Sequence, residues 1–223
     1  MTGKLFIKAV LKFAAGVVLM GTLIFLPAGT LDFFGGRLLM GILFIPMFVA
    51  GIVLMFKSPV LLEKRLNAKE EQAEQALVIK LSGVMFAVGF ILAGLDFRFG
   101  WTAFPEFVTW VGAALFLLAY IIYAEVLREN AYLSRTVEVQ EDQKVIDTGL
   151  YGIVRHPMYG ATVILFLSMP LVLGSLPSFV IFLAYPFIIA KRIGNEEEVL
   201  EKGLAGYAEY KEKVRYRLIP FIW

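Results

Sequence analysis

Apolar residues gather into long runs along this chain, and polar residues are largely confined to the stretches between them. Four runs, at residues 9–26, 38–56, 77–95 and 107–127, come close to the ~20 apolar residues a helix needs to cross a bilayer. Two shorter runs, 159–173 and 177–190, are separated only by Gly174, Ser175 and Leu176. Their lengths and the short break predict a helical hairpin, tilted across the bilayer or partly re-entrant, with both ends returning to one side. The pattern predicts an all-α integral membrane protein of about six membrane segments, the last two a short hairpin.

Composition supports this. With 59% hydrophobic residues and a mean hydropathy of +0.77, the chain holds more apolar surface than a soluble core of its size can hide. Charge then orients it. Of the 21 Lys and Arg residues, the six-segment arrangement puts only Arg37 and Arg98 on one side and the other nineteen on the opposite side. That asymmetry predicts that both termini are cytoplasmic. Two regions follow: residues 1–128 hold four membrane helices with an interfacial loop near 57–80, and residues 129–223 hold a cytoplasmic loop, the hairpin at 158–190 and a C-terminal helix and tail.

Several classes of function are disfavoured. No Cys is present, which removes disulfides, thiolate catalysis and thiolate metal sites, and a single His leaves no basis for a His-built zinc or haem site. No charged residue stands in mid-span, whereas ion and proton pathways usually place one there. The first segment lacks a convincing small-x-small cleavage pattern and is read as an anchor, and Gly3 is not at the position myristoylation requires. No glycine-rich strand-turn-helix signal suggests a Rossmann-type site. Basic residues spread along the inner boundary match anionic lipid rather than nucleic acid, so membrane lipids are expected partners.

Polar chemistry is concentrated in three stretches. Residues 57–80 set Leu61, Leu62, Leu66, Ala73 and Leu77 among charges, which predicts an interfacial amphipathic helix. Residues 128–149 place Val137, Val139, Val145 and Ile146 around Glu141 and Asp142, which predicts a short β-hairpin or an extended loop. In the tail, Asn195 is placed to cap a helix opening with Glu196, Glu197 and Glu198. Gly203 and Gly206 interrupt that helix, Tyr207 and Tyr210 follow, and residues 218–223 close with an interfacial aromatic anchor.

The only histidine, His156, sits in GLYGIVRHPMYG, residues 149–160, where polar sequence turns apolar. Pro157 suits the first turn of a helix and prevents one from running through His156, so Arg155 and His156 are expected to be non-helical, with free amides available to a ligand. The bland alternative has Arg155 snorkelling to lipid phosphates while His156 caps a helix. Likewise, the acidic run at 195–198 is by itself a plain helix start. Placement favours function, because both clusters lie at the cytoplasmic ends of one hairpin.

GLYGIVRHPMY, then Arg192, Glu196, Glu197 and Leu200 in the pattern R-x-x-x-E-E-x-x-L, then GYAEYKEKVRYRLIP, resemble the isoprenylcysteine carboxyl methyltransferase family and its relatives among membrane phospholipid methyltransferases. The resemblance covers residues 129–223. It implies a cytoplasmic pocket for S-adenosylmethionine, built from the loop before the hairpin and the C-terminal helix. It implies cofactor contacts from Tyr151, Val154, His156, Pro157, Tyr159 and Gly160, and from Glu196 with Glu197. It also implies that Arg155 steers an acidic acceptor. Where eukaryotic members carry Arg-Val-Pro, this chain has Lys213, Val214 and Arg215, so Lys213, Arg215 and Arg192 are the further basic candidates for holding the acceptor.

The expected activity is methylation of a lipophilic or lipidated acceptor, most simply a carboxylate. Methylation of a lipid amine or a small thiol is the enzymatic alternative, and a non-catalytic scaffold or small transporter is the alternative of another class.

Overall fold

The computed structural model of the protein describes residues 2–66, 73–102, 104–130, 132–133 and 139–223. Helices α1 (Thr2–Ala28), α2 (Phe34–Lys57), α3 (Pro59–Leu66), α4 (Ala73–Phe99) and α5 (Glu106–Glu129) come first. A 3-10 turn at Gly149–Gly152 leads into α6 (Pro157–Val172), α7 (Leu176–Phe182), α8 (Tyr185–Gly203) and α9 (Tyr207–Lys213). Among the described residues five stretches are long and apolar enough to cross a membrane: Gly3–Ala28, Phe34–Lys57, Ala76–Phe99, Glu106–Glu129 and Leu176–Gly203. Pro157–Val172 is a shorter apolar helix. The protein is an all-α, multi-pass integral membrane protein, as the apolar runs predicted.

Close helix approach depends on missing side chains, as expected where lipid tails offer no hydrophobic drive between helices. A Cβ on Gly112 of α5 would lie 2.8 Å from the Leu171 Cβ of α6, and one on Gly94 of α4 would lie 2.5 Å from the Ile24 carbonyl of α1. Around these contacts Ile24, Leu39, Phe116, Phe182 and Ile193 are fully buried. Phe86 sets its edge against Phe166 and Phe182, with ring centroids 4.8 and 5.4 Å apart.

The hairpin has unequal limbs. At 16 residues, α6 extends about 24 Å at 1.5 Å per residue. Its partner is broken between α7 and α8 at Leu183 and Ala184, next to Pro186, which has no N–H to continue the ladder. Past residue 190 the structure corrects the expectation for the acidic run. Asn195 caps nothing, because α8 continues through it to Gly203. The helix continues because Ile193 and Glu197, one turn apart on one face, are both buried against the rest of the protein.

In the predicted amphipathic stretch, Pro59–Leu66 is helical, and residues 67–72 lie outside the described residues. The predicted β-hairpin is not formed by the described residues, which place no strand there; Val137 lies outside them. Instead Gln143 N donates to Gln140 O at 3.2 Å, and Val139 and Val145 both pack on a small cluster of Leu204, Tyr207, Tyr210 and Val214. The loop is thereby folded onto α9. The C-terminal end of α5, the N-terminal end of α6 and the C-terminal end of α8 meet at that end of the bundle.

Candidate active site

Pro157 occupies the first turn of α6, with His156 before it at φ −125° and ψ 59°. The corner is therefore non-helical, as its sequence predicted. Its amides are nevertheless taken: Arg155 N donates to Tyr216 O and His156 N to Arg217 O, each at 2.9 Å. This corrects the expectation that they stay available to a ligand. A buried N–H must find a partner, and the returning tail supplies one before any ligand does.

Successive residues on an α-helix point about 100° apart, and this separates the two glutamates. Glu197 faces inward and is 2% exposed. It accepts from Arg155 Nε at 2.8 Å and from Arg217 at 2.9 Å through Nε and 2.8 Å through Nη2, while His156 Nε2 lies 3.2 Å away. Glu196 faces a cleft with its side chain 24% exposed. It accepts from the Tyr159 hydroxyl, which in turn accepts from Arg192 Nε at 2.8 Å. The His156 ring stacks against Tyr159 with centroids 5.7 Å apart.

Arg155 lines the cleft, but its guanidinium is directed into the protein. Beyond Glu197, its Nη1 donates to Val214 O at 2.7 Å and to Arg215 O at 2.8 Å. In this arrangement the guanidinium fastens the tail. Lys213 is also placed elsewhere, pairing with Asp147 at 2.6 Å on the surface, and Arg215 is exposed; neither lines the cleft. Among the basic candidates, Arg192 and Arg155 line it. Tyr151, His156, Tyr159 and Glu196 line it too, whereas Val154, Pro157 and Gly160 do not.

Residues not singled out from sequence complete the site. Asn130, just past α5, donates from Nδ2 to the Tyr151 hydroxyl at 2.9 Å, and the Tyr210 hydroxyl donates to Tyr151 O at 2.7 Å. Tyr207 and Tyr210 stand three apart on α9, a spacing from which a shared face could have been read. Arg217, twenty positions after Glu197, carried no such signal. Burial pushes the phenols of Tyr151, Tyr207 and Tyr210 well above their ordinary value, and at Tyr207 the nearby charges of Glu197 and Glu196 add to it. All three are therefore neutral hydrogen-bonding groups at physiological pH.

Residues 107–205 match the family model described as phospholipid methyltransferase. That match supports a membrane methyltransferase. It takes in α5, α6, α7 and α8, three of which bring an end to the cleft, and stops before α9 and the tail. The chain is also similar to Delta(14)-sterol reductase of Mus musculus, with 28% identity over 91 residues. That stretch covers 40% of this chain and 22% of the reductase, so the chain spans well under two thirds of this relative's length.

Proposed function

We propose that the protein transfers a methyl group from S-adenosylmethionine to a lipophilic acceptor entering from the bilayer, most simply a carboxylate of the isoprenylcysteine type. The observation that carries this reading is the meeting of the RHP corner with Glu196 in one polar cleft at the mouth of the α6 to α8 hairpin. On this reading residues 129–223 are the catalytic region, with Asn130 tying its first turn to the end of α5. The cleft opens on the side rich in Lys and Arg, which is read as cytoplasmic by the positive-inside rule.

The donor set suits the cofactor. A partly exposed carboxylate at Glu196 matches an ammonium, the rings of Tyr159 and His156 offer faces to a sulfonium, and Arg192 offers a fork to a carboxylate. The cleft's volume of about 100 Å³ is smaller than the roughly 300–1,000 Å³ that encloses a drug-sized ligand. Binding of the whole nucleoside therefore requires the cleft to widen.

When bound, the cofactor supplies an electrophilic methyl carbon. The acceptor oxygen would bond to that carbon as the carbon–sulfur bond broke, with its electron pair left on sulfur. The protein's share is to bind, align and exclude water, which can supply most of the acceleration for an in-line displacement. The neutral phenols around the cleft are poor bases, and a carboxylate acceptor arrives already deprotonated. A lipid amine or thiol would have to lose a proton, for which Glu196 is the carboxylate lining the cleft.

The similarity to a sterol reductase favours a second reading, reduction of a lipophilic substrate at the expense of a bound hydride donor of the nicotinamide class. Incubating purified protein in native lipids with methyl-labelled S-adenosylmethionine separates the two. Labelled, base-labile ester in the lipid fraction supports the first reading, base-stable label points to the amine or thiol variant, and absence of label with donor binding also absent overturns methyl transfer.

A further inference from the structure

Most polar side-chain atoms around the cleft have a partner within the protein. The hydroxyl of Tyr207 does not: it is buried without a hydrogen-bond partner among the described residues, and the residue is only 4% exposed. Tyr207 lines the cleft alongside Glu196 and Arg192. Its neighbour on the same helix face, Tyr210, shows the usual solution, giving its hydroxyl proton to the Tyr151 carbonyl. Leaving a buried phenol unpaired costs free energy that replacement by phenylalanine would recover. A tyrosine kept at such a position is best explained by a partner that arrives with a ligand.

The partner's chemistry follows from the surroundings. Tyr207 senses the negative charges of Glu196 and Glu197 and the positive charge of Arg155. As a neutral phenol it offers a proton and is suited to an oxygen acceptor. Glu196, on the same cleft, offers negative charge to a cation. A group carrying an ammonium and a carboxylate on neighbouring atoms satisfies both together.

We propose that the Tyr207 hydroxyl, acting across the cleft from Glu196, forms a subsite for the carboxylate of an α-amino-acid end, with Glu196 taking its ammonium. This rests on the methyl-donor reading above and deepens it: Tyr207 distinguishes the intact amino-acid end of the donor from one lacking the carboxylate.

The test compares S-adenosylhomocysteine with its decarboxylated counterpart by calorimetric binding to the full chain in lipid nanodiscs. The unaltered protein should prefer the carboxylate-bearing compound, and Tyr207→Phe should weaken that compound's binding about tenfold, the scale of one ligand hydrogen bond. It should leave the decarboxylated compound's affinity unchanged. Because the hydroxyl bonds nothing among the described residues, Tyr207→Phe should keep or raise the melting temperature. Tyr210→Phe, which loses the Tyr151 bond, should lower it and serves as the stability control. A lowered melting temperature for Tyr207→Phe, or an undiminished preference for the carboxylate, overturns the subsite. Failure of the unaltered protein to bind S-adenosylhomocysteine overturns the donor reading itself, and the subsite with it.

Discussion

Arg155 and Glu197, forty-two residues apart in sequence, are joined by a buried ion pair with Arg155 Nε 2.8 Å from Glu197 Oε1. Both side chains are almost wholly hidden, at 4% and 3% exposure. The pair joins the RHP corner to α8, and the same guanidinium holds the carbonyls of Val214 and Arg215 in the tail. The neighbouring Glu196 is left to face the cleft. Two residues that a sequence motif presents as one unit thus divide between a buried ion-pair cluster and the wall of the cleft.

That division predicts opposite outcomes for two conservative changes. Glu197→Gln leaves Arg155 and Arg217 without their shared counter-charge, and breaking a buried pair from one side typically costs about 3–5 kcal/mol. Its melting temperature should fall steeply. Glu196→Gln should melt near the unaltered protein while losing donor affinity. Thermal unfolding with and without S-adenosylhomocysteine checks both; equal losses of stability would show that the two carboxylates share one structural task.

Arg155→Lys tests the fork. An ammonium cannot reproduce three directed bonds from one planar group to a carboxylate and two carbonyls. The variant should loosen the tail, read as faster amide exchange or proteolysis at residues 214–217. A change confined to the acceptor's KM, with the tail as protected as before, would return Arg155 to a direct part in holding the acceptor.

Gly149 sits at φ +51°, and a Cβ there would run into the Glu129 carboxylate. That carboxylate accepts from the Thr148 hydroxyl at 2.8 Å and from Leu150 N at 3.3 Å, fixing the turn that carries Tyr151. Gly149→Ala should therefore cost about 1–3 kcal/mol from backbone strain, with further loss from displaced Glu129. Unfolding in a mild detergent measures it, and an unchanged midpoint would mean that the turn relaxes freely.

The pH dependence has a sign on each flank. Lys213 beside Asp147 holds that carboxyl below its ordinary value, so its small contribution is present above about pH 4 and fades as pH falls through the folded-state value. Burial raises Tyr151, Tyr207 and Tyr210, so their contribution is whole below about pH 10 and is lost as pH rises through the raised values. Melting temperature against pH should decline on both sides. Asp147→Asn should flatten part of the acid limb only; a steeper acid limb in that variant would contradict the pairing.

Much of the membrane architecture was legible in sequence because bilayer thickness imposes a length on apolar runs whatever their neighbours. The corner at His156 was legible for a similar local reason, since Pro157 restricts the backbone by itself. The end of the last membrane limb was not. Asn195 followed by three glutamates carries a helix-start signal, but burial of Ile193 and Glu197 outweighs a capping preference worth about 1 kcal/mol. Val139 and Val145 alternate with polar residues as a strand would, yet their apolar faces are covered by α9 and not by a partner strand.

The sequence by itself determined which segments are membrane helices, where the chain must turn, and which few residues can carry charge chemistry. Those are properties of short stretches: length, hydropathy, a proline ring. Only the tertiary structure decided that Glu197 is sealed against Arg155 and Arg217 while Glu196 stays accessible, that Lys213 turns to the surface, and that the tail takes the amides of the corner. Such choices depend on which groups from distant parts of the chain reach a buried charge first, and local pattern does not encode that order.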